Sequence, residues 1–130
     1  MQILFVEDDA MNRRVVRDML RVVGNDMEEA ADAETGLRML DERPFDIVLM
    51  DLRMPGMDGL TAIELLRRGE TCNRDVPVIV VTADTAPDLC DRCIEAGADE
   101  VIVKPVSMAA LLEAVGRLST RQNEEDFVLD

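Results

Sequence analysis

Four short apolar runs punctuate the chain: Ile3-Leu4-Phe5-Val6, Ile47-Val48-Leu49-Met50, Val78-Ile79-Val80-Val81 and Val101-Ile102-Val103. Each is unbroken rather than alternating, the pattern of parallel strands covered on both faces. A fifth, more polar strand is predicted over Met27 to Ala30, where Glu28 and Glu29 suit a sheet edge because charge opposes pairing between molecules. Between the strands the apolar spacing turns helical. Val15, Val16, Met19, Leu20 and Val23 share one helix face, begun by Asp9 as N-cap and stopped at Gly24. Leu37, Met39 and Leu40 belong to a short helix that ends before Pro44. Leu60, Ile63 and Leu66 repeat at helical spacing, as do Leu89, Cys93 and Ala96. Ser107 caps a last helix whose stripe is Met108, Leu111, Leu112, Val115 and Leu118.

Strand and helix thus alternate five times. This order predicts an α/β fold, a parallel five-stranded sheet between helices on both faces, with right-handed crossovers. No linker or internal repeat divides residues 1–118, which read as one domain. Residues 119–130 differ. They are polar, with Glu124, Glu125, Asp126 and Asp130, and are expected to fray as an acidic tail. Phe127, Val128 and Leu129 form an apolar trio there that could dock on a surface.

Composition narrows the chemistry. The 130 residues carry 14 basic and 28 acidic side chains, a net charge of −14. That field repels nucleic acid and anionic membrane, so neither is expected as a direct partner, but it does not repel divalent cations. No apolar run reaches the roughly 18 residues of a membrane span. The N-terminal MQILFVEDD has no basic region or cleavage-like site of a signal peptide. Histidine is absent. This excludes Ser-His-Asp and Cys-His triads, His-ligated metal, and any phosphohistidine on the chain itself. Cys90 and Cys93 have CxxC spacing, but zinc would need further ligands and the segment reads as helix. With Cys72 they are expected to be packing thiols in a reducing cytoplasm.

In an open parallel sheet the functional crevice lies beyond the carboxyl ends of the strands. Glu7, Asp8 and Asp9 follow the first run, Asp51 the second, Thr82 the third and Lys104-Pro105 the fourth. Each central strand therefore delivers a polar group to the same edge. Three clustered carboxylates resist ionisation unless a cation joins them. With Lys104 as the one positive charge, a hard divalent ion balances the set, and Mg²⁺ suits it because it takes few carboxylates and bridges phosphate oxygens. A carboxylate, a lysine, a hydroxyl and Mg²⁺ together fit phosphoryl transfer onto the carboxylate.

With these residues placed, the sequence closely resembles the receiver domains of two-component response regulators, CheY-like in form. The motifs are ILFVEDD, FDIVLMDLRMPGMDG, VIVVTAD and EAGADEVIVKPVS, within residues 2 to 118. The resemblance implies a flavodoxin-like (βα)5 three-layer sandwich with strand order 2-1-3-4-5. It implies Asp51 as phosphoacceptor, Glu7 and Asp8 as the Mg²⁺-holding acids with Asp51, and the backbone carbonyl of Arg53 as a further ligand. The run of three acids admits a shift of one residue in that pair, with Asp9 otherwise a helix cap. Thr82 would hydrogen-bond a phosphoryl oxygen, Ala83 would leave room for it, and Lys104 would pair with it. Lys104-Pro105 resembles the family's cis peptide. The donor would be a phosphohistidine on a sensor histidine kinase or histidine phosphotransfer protein, and the domain would catalyse its own phosphorylation and slow dephosphorylation without being a classical enzyme. The dozen residues after 118 are too few for an output domain, so output is expected through a downstream protein target.

One position departs from the family. Receivers often place Tyr or Phe three residues before the lysine, and its swing reports phosphorylation; here that residue is Val101. A β-branched side chain has few rotamers and no ring to bury, so a smaller surface change is expected there. Arg53 and Asp84, each two residues beyond a site residue, could bridge the mouth and slow the attacking water. Met54 and Met57 could offer an adaptable docking surface, while Met50 fills the core. Other chemistries fit less well. An aspartate-nucleophile phosphatase generally has a second acid two residues on, where this chain has Arg53. An FMN carrier needs a hydroxyl- or glycine-rich loop after the first strand, where Glu7, Asp8 and Asp9 would repel phosphate. A phosphorylation-independent binding module would not need the full polar set.

Overall fold

The apolar runs become strands because their branched side chains fit a sheet buried on both sides. The computed structural model describes the backbone of residues 1–128 and the side chains of residues 1–119. The elements are β1 (Gln2–Val6), α1 (Ala10–Val22), β2 (Asp26–Ala30), α2 (Ala33–Glu42), β3 (Ile47–Asp51), α3 (Gly59–Arg68), β4 (Val78–Thr82), α4 (Leu89–Ala96), β5 (Glu100–Val103) and α5 (Met108–Val128). All strand pairs are parallel, in the order β2-β1-β3-β4-β5. This is the flavodoxin-like arrangement that the resemblance implied.

Strand alternation divides the core in two. Leu4, Val6, Val48, Met50, Val78 and Val80 face one layer, with Leu40, Ile63, Leu66, Leu89 and Cys93 from α2, α3 and α4. Ile3, Phe5, Ile47, Leu49, Ile79, Val81 and Ile102 face the other, with Val16 and Leu20 from α1 and Leu111, Val115 and Leu118 from α5. The edge strand β2 pairs both of its glutamates: Glu28 with Arg43, and Glu29 with Arg13 and Arg17.

Helix starts follow the predicted polar caps. Asp9 accepts from the N–H groups of Met11 and Asn12 at 2.8 and 3.3 Å. Ser107 Oγ accepts from the Ala110 N–H at 3.1 Å. Such caps satisfy backbone donors that the first helical turn leaves orphaned. Gly24 ends the first helical segment with φ 77°, a left-handed conformation that costs a side-chain-bearing residue more.

Three expectations need correction. Val15 and Val23 are exposed, because α1 meets the sheet through Val16, Met19 and Leu20 and Val23 lies beyond the helix as its C-cap. Met54 is buried in the core and is not a docking surface, while Met57 is half-buried against the same core. Of the cysteines only Cys93 packs inside; Cys72 and Cys90 are exposed. Helix α5 extends past residue 118 to Val128. Docking of the Phe127, Val128 and Leu129 side chains lies outside the described residues.

Candidate functional site

Register brings the polar strand ends into line. Val6 pairs with Met50, Asp51 with Val81, and Thr82 with Val103, so the residues at and after these positions share one edge. Glu7, Asp51 and Lys104 continue the side-chain parity of the α1/α5 face, and Thr82 that of the α2–α4 face. Together with Asp8, Asp9, Asn12, Arg53 and Ala83 they line a cavity of about 210 Å³. Every predicted site residue therefore reaches one place.

The turn after Asp51 depends on a glycine. A Cβ at Gly59 would stand 2.3 Å from the Asp51 carbonyl oxygen, so the start of α3 can lie against β3 only without a side chain there. The Gly59 N–H donates to the Leu52 carbonyl at 3.0 Å and closes the loop. Lys104 follows β5 across a cis peptide bond to Pro105, and its N–H donates to the Thr82 carbonyl at 2.7 Å.

Charge is concentrated in little space. Lys104 Nζ stands 2.8 Å from Glu7 Oε1 and 3.5 Å from Asp51 Oδ1. Glu7 is fully buried and Asp51 nearly so. Burial, together with the adjoining Glu7 carboxylate, raises the Asp51 pKa to about 7, although Lys104 and the Arg53 N–H that donates to the carboxylate pull the other way. Burial also disfavours the Glu7 charge, but hydrogen bonds involving Asp51, Lys104 and Asn12 outweigh it and hold that pKa below the usual value. Burial alone would lower the Lys104 pKa; the Glu7 hydrogen bond and the two carboxylates raise it instead.

Carboxylate oxygens of Glu7, Asp8 and Asp51 lie within 4.8 Å of one another. Three carboxylates against one ammonium leave two negative charges uncompensated, the charge of one divalent cation. Glu7 Oε2 is buried without any hydrogen-bond partner among the described residues. A buried carboxylate oxygen in that condition is costly, and a hard cation would satisfy it. The donor set thus fits Mg²⁺.

Two side chains acting on Glu7 were not legible in sequence. Asn12 Nδ2 donates to Glu7 Oε1 at 2.8 Å, and Arg13 Nη1 donates to the Glu7 carbonyl at 2.6 Å. Both sit in the first turn of α1, which the Asp9 cap turns toward the cavity. An Asn and an Arg on a helix otherwise read as surface residues. At the mouth, Arg53 Nη2 meets Asp84 Oδ2 at 3.1 Å, joining the loops after β3 and β4. Asp84 also accepts from the Ala86 N–H, and these bonds hold its pKa below the usual range. The fully buried Thr82 hydroxyl accepts from the Asp84 N–H at 3.1 Å.

The response regulator receiver domain model matches residues 3–116. Chemotaxis protein CheY-3 of Vibrio cholerae is 36% identical over 122 residues, 93% of each chain. Sensor histidine kinase AruS of Pseudomonas aeruginosa is 36% identical over 121 residues, which are 92% of this chain and 12% of the kinase. The crystal structure of the receiver domain of another Pseudomonas aeruginosa sensor histidine kinase has a magnesium ion coordinated in the active-site cleft. It superposes with a TM-score of 0.82 at 33% identity, over 90% of this chain and 95% of that one.

Proposed function

Since the chain belongs to the response regulator receiver domain family, whose members are phosphoryl-accepting switches, we propose that Asp51 is its Mg²⁺-dependent phosphoacceptor. The observation that carries this reading is the meeting of Asp51, Glu7, Asp8, Thr82 and Lys104 in one cavity around an unsatisfied carboxylate oxygen. The donor is a phosphohistidine on a sensor histidine kinase or a histidine phosphotransfer protein. A carboxylate oxygen of Asp51 attacks phosphorus, the P–N bond to the donor imidazole breaks, and the nitrogen takes back its electron pair.

Glu7, Asp8, Asp51 and the Arg53 carbonyl would hold Mg²⁺, which when bound neutralises charge on the phosphoryl oxygens. Lys104 supplies a positive charge to the same oxygens, moving from Glu7 toward the phosphoryl group. Thr82 donates its hydroxyl to a phosphoryl oxygen, and the small Ala83 leaves space for it. Groups aimed at the charge on the transferring phosphoryl oxygens in this way stabilise the transition state. Slow hydrolysis of the acyl phosphate resets the domain, and output passes by protein–protein contact in the cytoplasm.

Incubation with a small acyl phosphate and Mg²⁺, followed by intact mass, tests the assignment. Wild type should gain one phosphoryl group, and Asp51→Asn or wild type in EDTA should not. An adduct surviving in Asp51→Asn would refute it.

A further inference from the structure

Glu7 has a longer and freer side chain than Asp8 or Asp51, so something must choose which of its oxygens faces the other carboxylates. Two donors converge on Oε1: Asn12 Nδ2 at 2.8 Å and Lys104 Nζ at 2.8 Å. Oε2 has none and is buried. Arg13 fixes the other end of the residue through the Glu7 carbonyl, at 2.6 Å, and is itself braced by Glu29 at 3.0 Å.

We propose that Asn12 is a positioning residue for the divalent cation, its amide anchoring Glu7 Oε1 so that Oε2 is left as the ligand oxygen beside Asp8 and Asp51. The inference rests on the phosphoacceptor reading and deepens it. Lys104 cannot do this work throughout the cycle. Once it turns to a phosphoryl group on Asp51, it leaves Oε1, and Asn12 is the remaining side chain donating to that oxygen among the described residues. An amide also holds the carboxylate without adding charge, so it orients Glu7 and leaves the negative field that attracts the cation intact. Groups that orient a ligand in this way commonly change metal affinity by about 10- to 100-fold when removed.

The test is titration of the full chain with Mg²⁺, followed by amide NMR shifts around Asp8 and Asp51. Asn12→Leu has similar volume and no donor, and Asn12→Ala serves as a second variant; the residue is only half-buried on α1, so the fold should persist. Both should bind Mg²⁺ about 10-fold more weakly than wild type, with shifts remote from the site unchanged. In a Glu7→Gln background the same substitutions should cause no further loss, since an anchor for Glu7 has nothing to orient there. Affinity within twofold of wild type in Asn12→Leu would overturn the proposal. So would an equal loss in the presence and absence of the Glu7 carboxylate. If wild type itself shows no saturable Mg²⁺ response, the phosphoacceptor reading falls as well.

Discussion

Asp51 is held in a state that disfavours its own charge. Its pKa of about 7 in the fold, against 3.8 for the free side chain, has a consequence for stability. Below the lower value both folded and unfolded chains carry the proton. Between the two values only the folded chain does, so the folded state loses stability as pH rises from about 4 to about 7. In EDTA, the melting temperature of wild type should fall over that interval, and Asp51→Asn should fall much less. Saturating Mg²⁺ should flatten the wild-type decline; a slope unchanged by the Asn substitution would contradict the account. Gly59 makes a second residue-scale prediction. Gly59→Ala places a methyl against the Asp51 carbonyl and should destabilise the protein by about 1–3 kcal/mol in urea unfolding. Glu7, Asp51, Thr82 and Lys104 were legible in sequence because each adjoins an unbroken apolar run, and Asp8 because it follows Glu7 directly. Asn12 was not, because its role depends on a carboxylate five positions back that only the cap geometry brings within 2.8 Å.

At the scale of elements, the loops after β3 and β4 meet through Arg53 and Asp84. Arg53 is 79% exposed, so the pair contributes little to stability. If Asp51 carries an acyl phosphate, the expected effect of the pair is steric and local, a bridge over the mouth that hinders the attacking water. Arg53→Ala and Asp84→Ala should each shorten the phospho-form lifetime several-fold, and the double variant should be no faster than either. Additive effects on the decay rate would sink the bridge as a lid. Strands were easier to read than helix faces. An unbroken run of Val, Ile and Leu needs burial on both sides, whereas α1 offers more apolar residues than the sheet can cover. Val15 and Val23 therefore satisfied the periodicity yet remained exposed.

In the whole molecule, the sheet separates two cores, and the site straddles their boundary. Glu7, Asp51 and Lys104 share the parity of the α1/α5 side, and Thr82 that of the α2–α4 side. Val101 packs half-buried against the α2–α4 core and has no ring to swing. A phosphoryl mimic with Mg²⁺ should therefore shift amides most in the loop after Thr82 and in α4, and less along β5. Equal shifts on β5 and α4 would count against this route. The division between the cores also sets how freely the surface can be rewritten. Residues that α2, α3 and α4 show to solvent lie across the sheet from Glu7, Asp51 and Lys104, and those of α1 beyond its first turn lie across it from Thr82. Either outer face can therefore change its chemistry while the polar side chains on the opposite side keep their seats.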